Sequence, residues 1–208
     1  DSGEVIGAFA SAKDIAKREQ AEEIQEVLCQ ISHAVSTSDN LREFLEIVHQ
    51  QFGRLVDTSN FYVALYDEES DLYSFPCNFD ENDKNPDFSE QQMKKSLTDY
   101  VRRTGKPLLA DEKIHQELIR KGEVDMIGKP SPIWLGVPLR TSHGVIGVVA
   151  VQSYSQSSFY SMQDLEVMSF IAENISLSIE YKKVEEKLVK DQSHLEELVR
   201  KRTGELTE

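Results

Sequence analysis

The stretch PSPIWLGVPLRTSHGVIGVVAVQSY, Pro130 to Tyr154, holds two apolar runs on either side of a short polar break. After Pro130 and Pro132, the segments Ile133 to Arg140 and Val145 to Ser153 read as strands. Thr141-Ser142-His143-Gly144 joins them as a turn whose glycine tolerates positive φ, so the pair is predicted as a hairpin. An earlier hairpin has the same character. Phe61, Val63 and Leu65 alternate with Tyr62, Ala64 and Tyr66 before the polar turn Asp67 to Asp71, and Leu72 to Cys77 pairs back. Between the hairpins, Asn78 to Gln91 is acidic, contains Pro86 and lacks periodicity, which predicts a mobile loop over one face of the sheet. A helix from Gln92 to Arg103 is expected next. Gly105 and Pro107 end it and open a short strand, Leu108 to Ala110, after which Asp111 caps a helix running to about Lys121. The domain is thus α/β with short elements.

Longer helices flank this region. Leu41, Phe44, Leu45, Val48, Phe52, Leu55 and Val56 form one apolar helical face that should stop near Asp57, and Thr37 to Asn40 offers breaking and capping side chains before it. Upstream, Ala21, Ile24, Leu28, Ile31 and Val35 recur at three- and four-residue steps, the stripe of a long helix from Ile15 to Ser36. Gly3 to Asp14 is β-leaning but too short to bury a face alone, and reads as a leftover edge strand. From about Ser161 to Thr203 the periodicity is helical throughout and proline-free, so the far end must project from the domain. Leu177, Tyr181, Val184, Leu188, Asp191, Leu195 and Leu198 alternate steps of four and three, a heptad seam. With the stripe of the first helix, that seam predicts a parallel homodimer.

Composition removes several functions. The 37 acidic residues outnumber the 23 basic ones and leave a formal charge of -14, so the positive field that holds nucleic acid or an anionic membrane is missing. Cys29 and Cys77 are the only cysteines and lie far apart, which excludes a disulfide framework and an all-cysteine zinc site. A reducing, cytoplasmic compartment is expected. The longest apolar run, Val145 to Val151, is far short of the roughly 20 residues of a membrane helix. The chain opens on Asp1 and not on Met, so the topology of a longer parent stays open.

Three strings now carry a resemblance: NFYVALYD at Asn60 to Asp67, LTDYVRRTGKPLL at Leu97 to Leu109, and PSPIWLGVPLR with GVIGVVAVQSY between Pro130 and Tyr154. Together they resemble a GAF domain, over about Leu41 to Tyr181. The resemblance implies an antiparallel sheet of about six strands with helices on both sides and a small-molecule pocket under the loops. GAF domains take cyclic nucleotides, bilins, haem or metabolites, so neither ligand nor cofactor follows from it. Gly3 to Glu23 looks like the last strand of a PAS domain with its exit helix, and Leu195 to Leu206 is similar to helices leading into histidine-kinase dimerisation domains. These resemblances divide the chain into a PAS remnant at 1–14, a linker helix at 15–37, a GAF domain at 38–181 and a coiled-coil signalling helix at 182–208. The parent expected is a sensor histidine kinase, with a diguanylate cyclase or phosphodiesterase as the rival output.

Few residues offer chemistry. Cys29 and His33 share a helical face, but no further Cys or His lies near them in sequence, so packing is the reading and no metal site is expected. Phe75, Cys77, Trp134 and Tyr154 lie on or beside the strands and are the expected ligand-binding residues, since aromatics with a polar tip line apolar pockets and a thiol can hold a ligand. Core packing is the competing reading for each. Asn78-Phe79-Asp80-Glu81 echoes a cyclic-nucleotide motif of GAF domains but follows the second strand directly, so it is read as a solvated loop. His194 lacks the proline and basic residues of a phosphoacceptor, and Gly122, Gly128 and Gly136 are too dispersed to cradle phosphates. No catalytic residue is expected, and a structural dimerisation spacer is the alternative from another class.

Overall fold

In the computed structural model, which describes residues 2–81, 92–127, 131–155 and 159–205, the chain runs α1 (Ser2–Thr37), α2 (Leu41–Phe52), β1 (Phe61–Asp67), β2 (Leu72–Phe79), α3 (Leu97–Thr104), β3 (Leu108–Asp111), α4 (Glu112–Arg120), β4 (Ile133–Thr141), β5 (Gly144–Ser153), α5 (Met162–Glu205). The strands form one antiparallel sheet in the order β2-β1-β5-β4-β3. Capping fixes where the short helices begin. The Asn40 side chain accepts the Glu43 N–H, Ser96 that of Asp99 and Asp111 that of Ile114, each satisfying a donor the first helical turn leaves unpaired. Gly105, at φ +62°, closes α3 in the left-handed region that glycine adopts without strain.

Both faces of the sheet are covered, which explains why β4 and β5 read as nearly continuous apolar runs. On one face Phe61, Val63, Leu65, Leu135, Val137, Leu139, Val149 and Val151 join α1, α2 and α5 in the main core. Met168, Ile171, Ile175 and Ile179 of α5 are wholly buried there, each contributing about 1.5 to 3 kcal/mol of transfer free energy. On the other face Val148, Ala150 and Trp134 pack beneath Val101 of α3, and Ala64, Tyr73 and Phe75 form an adjoining cluster.

The two long helices run side by side. Gln163 of α5 bonds Gln20 of α1 at 2.9 Å, and Lys182 of α5 bonds Ser38 at 2.8 Å. Between those contacts α1 advances from 20 to 38 and α5 from 163 to 182, so the helices are parallel and nearly in step. The free ends therefore leave in opposite directions, α1 toward Ser2 and α5 toward Glu205.

Several expectations change. The sheet has five strands among the described residues, the five that periodicity locates and not about six. Gly3 to Asp14 is no edge strand: it lies within α1. An isolated strand has no ladder to join, whereas a formed helix extends cheaply through Ala8, Ala10 and Ala12. The helix expected from Gln92 starts five residues later, at Leu97, because Ser96 is the side chain that caps it. The second helix ends at Phe52 and not near Asp57, and β2 runs on to Phe79. The later part of the α1 stripe does not face outward, since Ile31 is buried and Leu28 and Val35 pack against the same core, while Ala21 is exposed. Most of the loop expected over the sheet, Asn78 to Gln91, lies outside the described residues, as do Gly128 and Pro130.

Candidate functional site

The face of the sheet under α3 gathers most of the chain's polar aromatics. Trp134, on β4, is 3% exposed, and its Nε1–H donates to the Tyr62 hydroxyl on β1 at 2.9 Å. That hydroxyl also bonds Thr98 Oγ1 of α3 at 2.8 Å. Burial raises the Tyr62 phenol above its ordinary range, although Thr98 and Trp134 both oppose the rise. The Tyr62 ring lies 5.9 Å from Phe75, so the two aromatic clusters meet there. Gly136 makes room for Trp134: a Cβ at that position would lie 2.0 Å from the edge of the indole ring, which lies along β4.

Beside these aromatics sits a buried charge. Asp99, 4% exposed in the first turn of α3, accepts from the Tyr73 hydroxyl at 2.8 Å, Arg102 Nη2 at 3.0 Å, Arg103 Nε at 2.9 Å and the Lys95 backbone N–H at 3.2 Å. Burial by itself pushes its carboxyl upward, but the bonds from Tyr73, Arg102 and Arg103 outweigh that and hold it below the usual carboxylate range. Arg102 also donates to the Tyr73 hydroxyl at 2.6 Å and lies 3.9 Å from the centre of the Tyr66 ring, a cation–π contact. Burial, then the neighbouring Asp99, raises the Tyr73 phenol, so it stays protonated and donating.

Of the expected ligand-binding residues, the fold brings Phe75 and Trp134 to this face and Tyr154 to its rim. The Tyr154 hydroxyl donates to Asp80 at 2.7 Å and accepts from Gln152 at the same distance, with Gln152 directly opposite Trp134 in the β4–β5 ladder. Cys77 is not there. Val63 pairs with Cys77 but Leu65 pairs with Ser74, so β2 carries one extra residue around Phe75-Pro76. That bulge reverses the alternation and turns Cys77 toward α2, where its thiol contacts the Leu45 carbonyl at 3.6 Å. Burial pushes the Cys77 thiol up to about 12, leaving an unreactive, apolar-like group. Cys29 is exposed on α1, and among the described residues no group of three or more His, Cys, Asp or Glu converges as metal ligands.

Tyr62, Thr98, Asp99 and Arg102 belong to the site although only their strings drew notice in the sequence. The signal for Tyr62 was its place opposite Phe61 and Val63 in a strand buried on both faces. Asp99 gave none: in a helix expected from Gln92 it falls well inside, and only the Ser96 cap puts it in the first turn. A separate open cleft of about 340 Å³, lined by Gly53, Arg54, Asp57, Phe159 and Tyr160 among others, contains none of these residues. No described helix is long and apolar enough to cross a membrane.

Comparison with known proteins agrees with this geometry. The GAF domain of an Acinetobacter phosphoenolpyruvate-protein phosphotransferase superposes with a TM-score of 0.64 at 17% identity, covering 80% of this chain and 95% of its own. Free methionine-R-sulfoxide reductase from Neisseria meningitidis gives 0.59 at 15% identity, covering 77% and 90%, and residues 122 to 287 of a methyl-accepting chemotaxis protein give 0.60 at 15%, covering 74% and 98%. No curated protein matches the sequence. The fold is thus shared with proteins of unlike activity, and a family model for the GAF domain matches residues 38–180. With the five-stranded sheet and its two helical layers, that match establishes that the chain belongs to the GAF domain family.

Proposed function

We propose that this chain is the regulatory, small-molecule-sensing GAF module of a signal-transduction protein, in which the state of the aromatic face is passed to an output domain through α5. The observation that carries the reading is α5 itself. It is one uninterrupted helix whose first half is packed on the sheet and whose second half stands in solvent with Val184 at 53%, Leu188 at 64% and Leu195 at 61% exposed. A helix rigid enough to span both regions moves at its far end when its packed end moves. The exposed heptad positions suit pairing with α5 of a second copy, so the module works as a parallel homodimer. A histidine kinase of a two-component system is the favoured output, with a diguanylate cyclase or phosphodiesterase as the rival. An upstream PAS domain rests on the helical half of the Gly3 to Glu23 likeness alone. The parent's sensor faces the cytoplasm, and the chain itself performs no catalysis: the two cysteines lie on separate elements, one of them buried and unreactive.

Phe75, Trp134, Tyr62 and the rim residue Tyr154 are the groups assigned to the ligand. Native mass spectrometry of the purified protein tests this, with a retained metabolite lost in Trp134→Leu as the supporting result and bare polypeptide mass as the opposing one. One observation favours a ligand-free spacer instead: the polar groups of the face satisfy one another, Trp134 with Tyr62, Tyr62 with Thr98, and Tyr73 with Asp99 and Arg102.

A further inference from the structure

Residues 38 to 40 form the corner where the chain turns from α1 into α2, and two α5 side chains one turn apart close on it. Lys182 Nζ donates to the Ser38 carbonyl at 2.8 Å, and Glu186 accepts the Leu41 backbone N–H at 2.7 Å. Lys182 is 4% exposed, the one lysine buried among the described side chains, and Glu185 lies 3.2 Å from it. The signs match the helix dipoles. A cation meets the carbonyl end of α1, and an anion meets the amide end of α2. The Ser38 hydroxyl, bonded to the Ala34 carbonyl at 2.7 Å, and the Asn40 cap hold the corner in shape.

Apolar contacts along α1 and α5 are non-directional and tolerate small slides, whereas two hydrogen bonds of fixed geometry do not. Displacing α5 by one residue would shift it about 1.5 Å and turn it about 100°, which takes both side chains off the corner together. Beyond Glu186, residues 187 to 200 are all exposed, so this is the last point at which the described domain grips α5. It is also where the parallel α1 ends.

We infer that Lys182 and Glu186 form a clasp that makes α1 and α5 one mechanical unit, so that motion arriving along α1 is handed to α5 at this corner without passing through the sheet. The clasp rests on the reading of α5 as an output helix, and it adds a second input: the module combines motion delivered by an upstream partner domain with the state of its own aromatic face. Because both bonds form or break together, the clasp selects between discrete settings of α5 and not a continuum.

The test uses the full 208-residue chain. One spin label goes on exposed Cys29 and one on Val189→Cys, while buried Cys77 stays unlabelled. Labelled chains are diluted with unlabelled ones so that only intrachain distances count. The wild type should give one narrow distance, and Lys182→Met with Glu186→Ala a broad or doubled one, with far-ultraviolet dichroism and Trp134 emission unchanged. Amide exchange at Leu41 should rise on the order of tenfold in Glu186→Ala, as expected when a charge-assisted bond is lost. If Lys182→Met fails to fold, Glu186→Ala alone decides. An unchanged narrow distance with unchanged Leu41 exchange would overturn the clasp. A ligand-free or monomeric wild type would count against the proposed function but leave this test intact, since both labels sit in one chain.

Discussion

Replacing Gly136 with alanine probes how the aromatic face is built. The new Cβ would sit 2.0 Å from one indole carbon of Trp134 and 2.7 Å from two others. No side chain accepts such a contact, so the ring must swing off β4, and it leaves behind its 2.9 Å bond to Tyr62. Overpacking of this kind costs about 1 to 3 kcal/mol, and the lost hydrogen bond adds about 1 more, for a total of about 2 to 4 kcal/mol. With a urea dependence of about 2 kcal/mol per molar, the unfolding midpoint should fall by about 1 to 2 M. Trp134 is the chain's single tryptophan, so its fluorescence reports both the unfolding and the displacement. The native emission should shift to the red as a ring now 3% exposed meets water. A companion variant, Trp134→Phe, should reduce the cost of Gly136→Ala to below about 1 kcal/mol, a coupling that distinguishes this clash from a generic strand effect. A midpoint within about 0.3 M of the wild type, with unchanged emission, would refute the proposed packing.

Three other expectations bear on separate parts of the molecule. Because the folded Asp99 carboxyl is held below its ordinary value of about 4, its contribution is complete above that pH and is lost as pH falls through the folded value. Asp99→Asn should therefore lower stability by about 2 kcal/mol at neutral pH, less than a fully buried pair because Arg102 and Arg103 keep some solvent, and should flatten the acid limb of a thermal-melting series. An acid limb identical to the wild type's would contradict this. A thiol reagent at pH 8 should modify Cys29 quickly and Cys77 only on unfolding, whose pKa near 12 follows from burial; two fast equivalents would show the bulge misplaced. Incubation with ATP should leave the chain unlabelled, and phosphate on His194 would overturn the non-catalytic reading.

Hairpins and helices were legible because their signals are local. Alternation in β1, the turn before Gly144, and the capping residues Asn40 and Asp111 each act within a few residues, and each element falls close to where they place it. The candidate site was half legible for the opposite reason. Phe75 and Trp134 are legible as aromatics on strands, but a single extra residue near Pro76 sends Cys77 to the other face, and no periodicity reveals which residue a bulge will add. The Tyr73–Asp99–Arg102 network joins β2 to α3 across residues 26 apart in sequence, a pairing that propensity cannot announce. The α1 stripe was seen correctly as a stripe, yet whether such a face meets a partner or its own chain depends on how α2 and α5 pack, and here Ile31 is buried within the chain.

What remains exposed is the α5 seam, and the transmitter reading stands or falls on it. Sedimentation equilibrium at micromolar concentration measures its consequence directly. The wild type should sediment at twice the 23.7 kDa chain mass, while Leu177→Glu with Leu188→Glu should sediment at that chain mass with its dichroism unchanged. A wild-type chain that stays at 23.7 kDa into the millimolar range would contradict the dimeric transmitter.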